Sequence, residues 1–160
     1  MIAVVSDTHM PKGKRKLPEE CVEKIREAEA VIHAGDFSEV SVLSELEALC
    51  PVVLGVYGNV VEPALWQRLP ETLAVEVDGR TVAVVHDAGP KHGRLRRLRR
   101  RFPEADAVIF GHSHLPLHEE EGGFQIFNPG SPTERRRAPQ ASMGLLHPEP
   151  SGLRFEHVWL

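Results

Sequence analysis

A buried run closes on two histidines: Ala107-Val108-Ile109 leads into Phe110-Gly111-His112-Ser113-His114. An apolar run ahead of a glycine reads as a covered strand ending in a tight turn. On an extended backbone residues i and i+2 project the same way, so the pair offers two imidazoles to one point. Imidazole is the commonest protein ligand for transition metals, which makes metal binding the chemistry to test. An isolated His-x-His is better explained by a surface turn, but here the pattern recurs. Ile2-Ala3-Val4-Val5 ends in Ser6-Asp7-Thr8-His9, and Ala30-Val31-Ile32-His33-Ala34 ends in Gly35-Asp36. The run 51–57 ends in Gly58-Asn59, and the run 80–85 passes straight into His86.

Side by side, the strand ends supply Asp7, His9, Asp36, Asn59, His86, His112 and His114. All are nitrogen or oxygen donors, a set suited to Mn²⁺, Fe²⁺, Co²⁺, Ni²⁺ or Zn²⁺. Seven donors exceed the needs of one ion and suffice for two ions that share a carboxylate. Two metals about 3.5–4 Å apart can hold a bridging hydroxide and clamp phosphate oxygens during in-line attack. Loops at the carboxyl ends of strands are where open α/β sheets place their ligands.

The elements that must position these donors alternate. Residues 18–28 form a helix with Pro18 in its first turn and Cys21, Val22, Ile25 and Ala28 on its apolar stripe. Ser38 is placed to cap a second helix whose inner face is Val40, Leu43, Leu46 and Leu49. Three strand–helix units in succession predict a largely parallel sheet. Beyond a short segment at 63–69, strands 73–77 and 80–85 flank Asp78-Gly79, a two-residue hairpin signal. A helix over 93–102 buries Leu95, Leu98 and Phe102 and carries Arg94, Arg96, Arg97, Arg99, Arg100 and Arg101. Strand 124–127 leads into Asn128-Pro129-Gly130-Ser131, and a final hairpin pairs 141–146 with 153–160. The second half is therefore expected to be mostly antiparallel, giving two packed mixed sheets with helices outside. Residues 1–160 read as one domain, without repeats or linkers.

At 160 residues, 41% hydrophobic and 26% charged, the chain has the composition of an ordinary globular protein. A net charge of −4 gives no bulk reason to expect a nucleic-acid partner. The arginine run lacks interleaved aromatics and reads as a solvated or subunit-contact face. Lys12-Gly13-Lys14-Arg15-Lys16 leaves the ligand-bearing end of the first strand and could attract an anion. Cys21 and Cys50 form no CxxC pattern, which excludes a thiolate metal site and a disulfide framework. No apolar run spans a membrane, and no leader is visible, so a cytoplasmic location is expected. A homo-oligomer could use the basic helix or the apolar last strand.

The ordered series Asp7-x-His9, Gly35-Asp36, Gly58-Asn59, His86 and Gly111-His112-x-His114 resembles the motif series of the calcineurin-like metallophosphoesterases. The short length and Asn128-Pro129-Gly130-Ser131 are similar to the small YfcE-type phosphodiesterase branch. The resemblance implies a four-layer α/β/β/α sandwich of two mixed sheets, and phosphate-ester hydrolysis by a hydroxide bridging two divalent ions, most commonly Mn²⁺. It implies that Asp7, His9, Asp36 and His114 hold one ion, and Asp36, Asn59, His86 and His112 the other. A small phosphate ester is the implied substrate. Arg135 is a candidate for gripping a phosphate oxygen, and His33 and Asp87 for orienting ligands.

The chain departs from its relatives where a proton must reach the leaving group. Larger members carry a histidine after the asparagine; here Val60 stands there, followed by Val61, and His86 is followed by Asp87-Ala88. Aryl phosphodiesters, with good leaving groups, are the expected best substrates. The alternatives are a non-catalytic interaction module on the same fold, like the retromer subunit that resembles this branch, and a nuclease using the arginine-rich helix.

Overall fold

Strand parity sorts the apolar residues into three layers of core. In the computed structural model, which describes residues 1–60 and 62–160, β1 (Ile2–Val5) and β2 (Ala30–His33) are buried throughout. Ile2, Val4, Ala30 and Ile32 face a second sheet, whereas Ala3, Val5 and Val31 face helices. A strand covered on both sides has no need of polar residues, hence the unbroken apolar runs. The same division operates in β6 (Ala107–Phe110), where Ala107 and Ile109 meet the first sheet and Val108 and Phe110 meet a helix.

The first sheet adds β3 (Val53–Gly55), β9 (Ser142–Glu149) and β10 (Gly152–Trp159), in the order β10-β9-β1-β2-β3. The second contains β4 (Thr72–Val77), β5 (Arg80–Val85), β6, β7 (Leu117–Glu121) and β8 (Phe124–Asn128), in the order β4-β5-β6-β8-β7. Helices α1 (Glu19–Glu27) and α2 (Val40–Leu49), with Leu65 of α3 (Pro63–Arg68), cover the first sheet. Helix α4 (Arg94–Arg101) covers the second through Leu98. This is the expected four-layer α/β/β/α sandwich of two mixed sheets. Among the described residues no helix is long and apolar enough to cross a membrane.

Two local expectations are corrected. The third strand is confined to Val53–Gly55, because Pro51 has no N–H to give and the Tyr57 N–H turns to Pro70 O at 3.0 Å. Ser38 does not cap α2; the Glu62 carboxylate accepts the Val40 N–H at 3.0 Å instead, and the Ser38 hydroxyl has no partner among the described residues. The second half is mostly antiparallel, as expected, in the pairs β4–β5, β7–β8, β9–β10 and β1–β9, but it has a parallel centre. Strands β5, β6 and β8 run parallel, and the last hairpin joins the first sheet through β9 against β1. The parallel step from β6 to β8 is made by the short β7, which pairs antiparallel with β8 at the sheet edge.

Candidate metal centre

The carboxyl ends of β1, β2, β5 and β6 all open on one side of the sandwich, and the loops leaving them are sharply bent. Asp7, His9, Asp36, His112 and His114 adopt φ values of 55, 45, 59, 68 and 59°. Non-glycine residues seldom take this left-handed conformation, and each costs on the order of 1–3 kcal/mol that the surroundings must offset. The bends overturn the expectation that His112 and His114 point the same way. His114 turns inward and is fully buried, while His112 is exposed at the mouth.

The buried donors fall into two triads, Asp7 with His9 and His114, and Asp7 with Asp36 and His86. Asp7 Oδ1 lies 3.3 Å from His114 Nε2, 3.9 Å from His9 Nε2 and 4.0 Å from His86 Nε2. Asp36 Oδ2 lies 3.5 Å from His9 Nε2 and 3.4 Å from His86 Nε2, so both carboxylates stand between the two histidine groups. Asn59 and His112 belong to neither triad; Asn59 Nδ2 donates to His112 Nδ1 at 3.1 Å on the exposed side.

The histidines are presented with a ring nitrogen toward the shared space. His86 Nδ1 donates to Ala34 O at 2.7 Å, and His114 Nδ1 donates to Glu134 O at 2.5 Å. Each bond commits one nitrogen to carrying a proton and turns Nε2 inward. Asp7 Oδ1 and His86 Nε2 are buried with no hydrogen-bond partner among the described residues. A buried polar atom left unpaired costs roughly 1–3 kcal/mol. A carboxylate oxygen and an imidazole nitrogen, both orphaned and converging, fit a divalent cation.

Electrostatics follow from burial. Burial raises the Asp7 carboxyl to about 7, with Asp36 adding to the rise, against the lowering effects of His86, the Ser6 hydroxyl and the His112 N–H. Asp36 is also penalised by burial, but His86, the Val60 N–H at 2.8 Å and His9 outweigh that and hold it at about 2. Burial lowers His114 to about 4, assisted by Arg136 and His9, and lowers His9 in the same direction. His86 is raised despite its burial, because Asp36, Asp7 and the Ala34 carbonyl favour its charged form. At neutral pH His9 and His114 are therefore already in the form that binds metal.

Glycines make the crowding possible. A Cβ at Gly58 would collide with Asp36 Oδ1, and one at Gly111 would collide with the Ser6 hydroxyl and come within 2.8 Å of Asp7 Oδ2. The Asn-Pro-Gly-Ser turn fastens the same loops. Asn128 Nδ2 donates to Gly111 O at 2.9 Å and to Ser113 Oγ at 3.1 Å, and Ser131 Oγ donates to Asp7 O at 2.8 Å.

The remaining sequence candidates have other places. His33 is fully buried, stacks on Phe37 at 3.6 Å and accepts the Gly35 N–H at 3.1 Å through Nδ1. Its Nε2 is 3.1 Å from Thr8 Oγ1, so it ties the loop carrying Asp36 to the loop carrying Asp7 and His9. Burial lowers it to about 3, and it stays neutral. Asp87 does not reach a ligand: its Oδ1 accepts the Gly89 N–H at 2.7 Å, and its carboxylate lines an outer cavity with Tyr57, Asn59, His86 and Arg101. Arg135 is likewise turned away, donating to Ala138 O at 2.9 Å. Its neighbour Arg136, with φ of 46°, is the arginine whose charge reaches His9 and His114. Val60 is half-exposed and brings only its N–H to the site, and Val61 lies outside the described residues. Sequence reasoning missed Glu134, whose Oε2 lies 3.7 Å from His9 Nε2. Its one signal was a place three residues beyond Ser131, whose hydroxyl accepts the Glu134 N–H at 2.9 Å.

Residues 1–151 match the calcineurin-like phosphoesterase superfamily domain, and the chain belongs to that superfamily. It is 35% identical over 138 residues to a probable metallophosphoesterase of Methanothermobacter thermautotrophicus, a match covering 85% of this chain and 79% of that protein. It is 26% identical over 142 residues to a phosphodiesterase of Methanocaldococcus jannaschii, covering 81% and 82%. Among solved structures, Vps29 of Entamoeba histolytica complexed with Zn²⁺ superposes with a TM-score of 0.79 at 22% identity, over 99% of this chain and 98% of that one. That last likeness is one of fold.

Proposed function

We propose that this metallophosphoesterase is a phosphodiesterase working with two divalent ions on a small phosphate ester. The observation that carries the reading is the pair of donor triads meeting at Asp7, with Asp7 Oδ1 and His86 Nε2 buried and unpaired. Asp7, His9 and His114 would hold one ion and Asp36 and His86 the other, with Asp36 between them and Asn59 and His112 completing the outer side. The donor chemistry admits Mn²⁺, Fe²⁺, Co²⁺, Ni²⁺ or Zn²⁺. When bound, such ions bring the pKa of water toward about 7 and neutralise charge on the phosphoryl oxygens.

The chain's own residues do the rest. Ala34 O and Glu134 O fix the tautomers of His86 and His114, and Ser6, the His112 N–H and the Val60 N–H hold the carboxylates in one orientation. Arg136 adds a positive charge on the side from which an anion approaches. Val60 offers no proton to a departing alkoxide, which favours substrates whose leaving group needs none. Of the six arginines of α4, two are committed internally: Arg97 donates to Ala88 O at 2.8 Å and Pro90 O at 2.6 Å, and Arg94 lies over the Phe110 ring, while Arg96, Arg99, Arg100 and Arg101 are exposed. The net charge of −4 supports a small substrate over a polynucleotide.

The test is hydrolysis of bis-p-nitrophenyl phosphate and p-nitrophenyl phosphate by metal-stripped protein, with each ion restored singly and Asp36→Asn as control. Metal-restored diester cleavage absent from the control is the expected result. Stoichiometric metal binding without turnover on either ester would refute it and favour an interaction module.

A further inference from the structure

One carboxylate near the metal centre has no part in the reading above. Glu134 is held from three sides: its N–H by Ser131 Oγ at 2.9 Å, its carbonyl by His114 Nδ1 at 2.5 Å, and its Oε1 by Arg15 Nη2 at 2.9 Å. So anchored, it turns the other oxygen, Oε2, to within 3.7 Å of His9 Nε2. Its side chain is 28% exposed, which places it at the mouth of the centre and not on its floor. Arg15 comes from the basic stretch after β1, and its guanidinium takes the outer oxygen, leaving the inner one facing the site.

A fixed negative charge here is paradoxical in a pocket that must attract phosphate, unless it serves to discriminate. A phosphodiester carries one negative charge. A phosphomonoester, with a second pKa near about 6, carries close to two at neutral pH and above. Repulsion from a carboxylate scales with the charge of the incoming anion, so it penalises the monoester about twice as much. With Arg15 paired to the outer Glu134 oxygen, Arg136 is the neighbouring cation left to meet one negative charge, and the inner Glu134 oxygen opposes a second.

We infer that Glu134 is a specificity-determining residue: its carboxylate, clamped by Arg15 beside His9, selects monoanionic phosphodiesters over dianionic phosphomonoesters. This rests on the phosphodiesterase reading. It also gives the basic stretch at Arg15 a role that composition alone left open, as the support of the discriminating group.

The experiment compares wild type with Glu134→Gln, Glu134→Asp and, as a distant surface control, Glu149→Gln, all loaded with Mn²⁺ at pH 8. Two ratios are read: kcat/KM for p-nitrophenyl phosphate over bis-p-nitrophenyl phosphate, and calorimetric affinity for inorganic phosphate over dimethyl phosphate. Glu134→Gln is expected to raise both ratios about tenfold toward the dianion. Glu134→Asp, which keeps the charge, should retain most of the discrimination, and Glu149→Gln should match wild type. Ratios unchanged within about twofold in Glu134→Gln would overturn the inference, as would loss of Mn²⁺ binding, which would make Glu134 a ligand. If wild type cleaves neither ester, the phosphodiesterase reading fails, and the anion-affinity ratio still decides the role of Glu134.

Discussion

The centre has a floor and a mouth, and the two are built by different physics. On the floor, Asp7, His9, Asp36, His86 and His114 are all buried, and the second oxygen or nitrogen of Asp7, Asp36, His86 and His114 is tied to backbone. At the mouth, Asn59, Val60 and His112 are exposed, Asn59 and His112 touch each other, and Arg15, Glu134 and Arg136 form a ring of charge around His9. Floor residues cannot change without stranding a buried charge or an unpaired polar atom, each costly in low dielectric. Mouth residues can be exchanged at little structural cost. On the proposed function, metal affinity would belong to the floor and substrate choice to the mouth, where Val60 stands.

The comparison can be broken most forcefully at the floor. Asp36→Asn is expected to lower diester kcat/KM by about a thousandfold and to weaken metal binding by at least tenfold to a hundredfold, read by steady-state kinetics and titration. Retention of full metal affinity would show that the floor is not the metal site. Gly58→Ala tests the same region through sterics, since the added methyl meets Asp36. A loss of stability of about 2 kcal/mol and of most activity is expected from thermal unfolding and turnover.

Much of this was legible in the sequence, and for identifiable reasons. The buried runs at β1, β2 and β6 announce strands covered on both faces, and Gly-Asp, Gly-Asn and Gly-His after them mark where loops crowd. What stayed hidden depends on long-range geometry. The left-handed bends at His112 and His114, which send one ring to the mouth and the other to the floor, leave no mark in residue types. The capping of α2 by Glu62 instead of Ser38 depends on the chain returning ahead of α3, where the Glu62 N–H also donates to Ser38 O at 2.9 Å. The choice of Arg136 over Arg135, and the inward turn of Glu134, follow from the backbone of a turn that Ser131 organises. The parallel placement of β8 beside β6 was masked by the hairpin signals on either side of it.

A third expectation separates floor from mouth by pH. In the metal-free protein the Asp7 carboxyl is raised to about 7, so below that pH it holds a proton that an incoming ion must displace. His86, raised as well, competes in the same direction, whereas His114 at about 4 and His9, also lowered, are already deprotonated. Metal affinity should therefore fall at least about tenfold per unit as pH drops below 7. Affinity constant between pH 5.5 and 7.5 would contradict this. At the mouth effects are smaller. Arg136→Ala is expected to raise KM for the diester about fivefold to tenfold with kcat little changed, while Arg135→Ala, tied to its own turn, should leave both within about twofold.

The central claim is that one floor holds two ions, and anomalous diffraction from Mn²⁺-soaked crystals tests it most directly. Two peaks per chain are expected, one beside Asp7, His9 and His114 and the other beside Asp36 and His86, with Asp36 between them. A single peak, or density elsewhere on the surface with these triads empty, would contradict it.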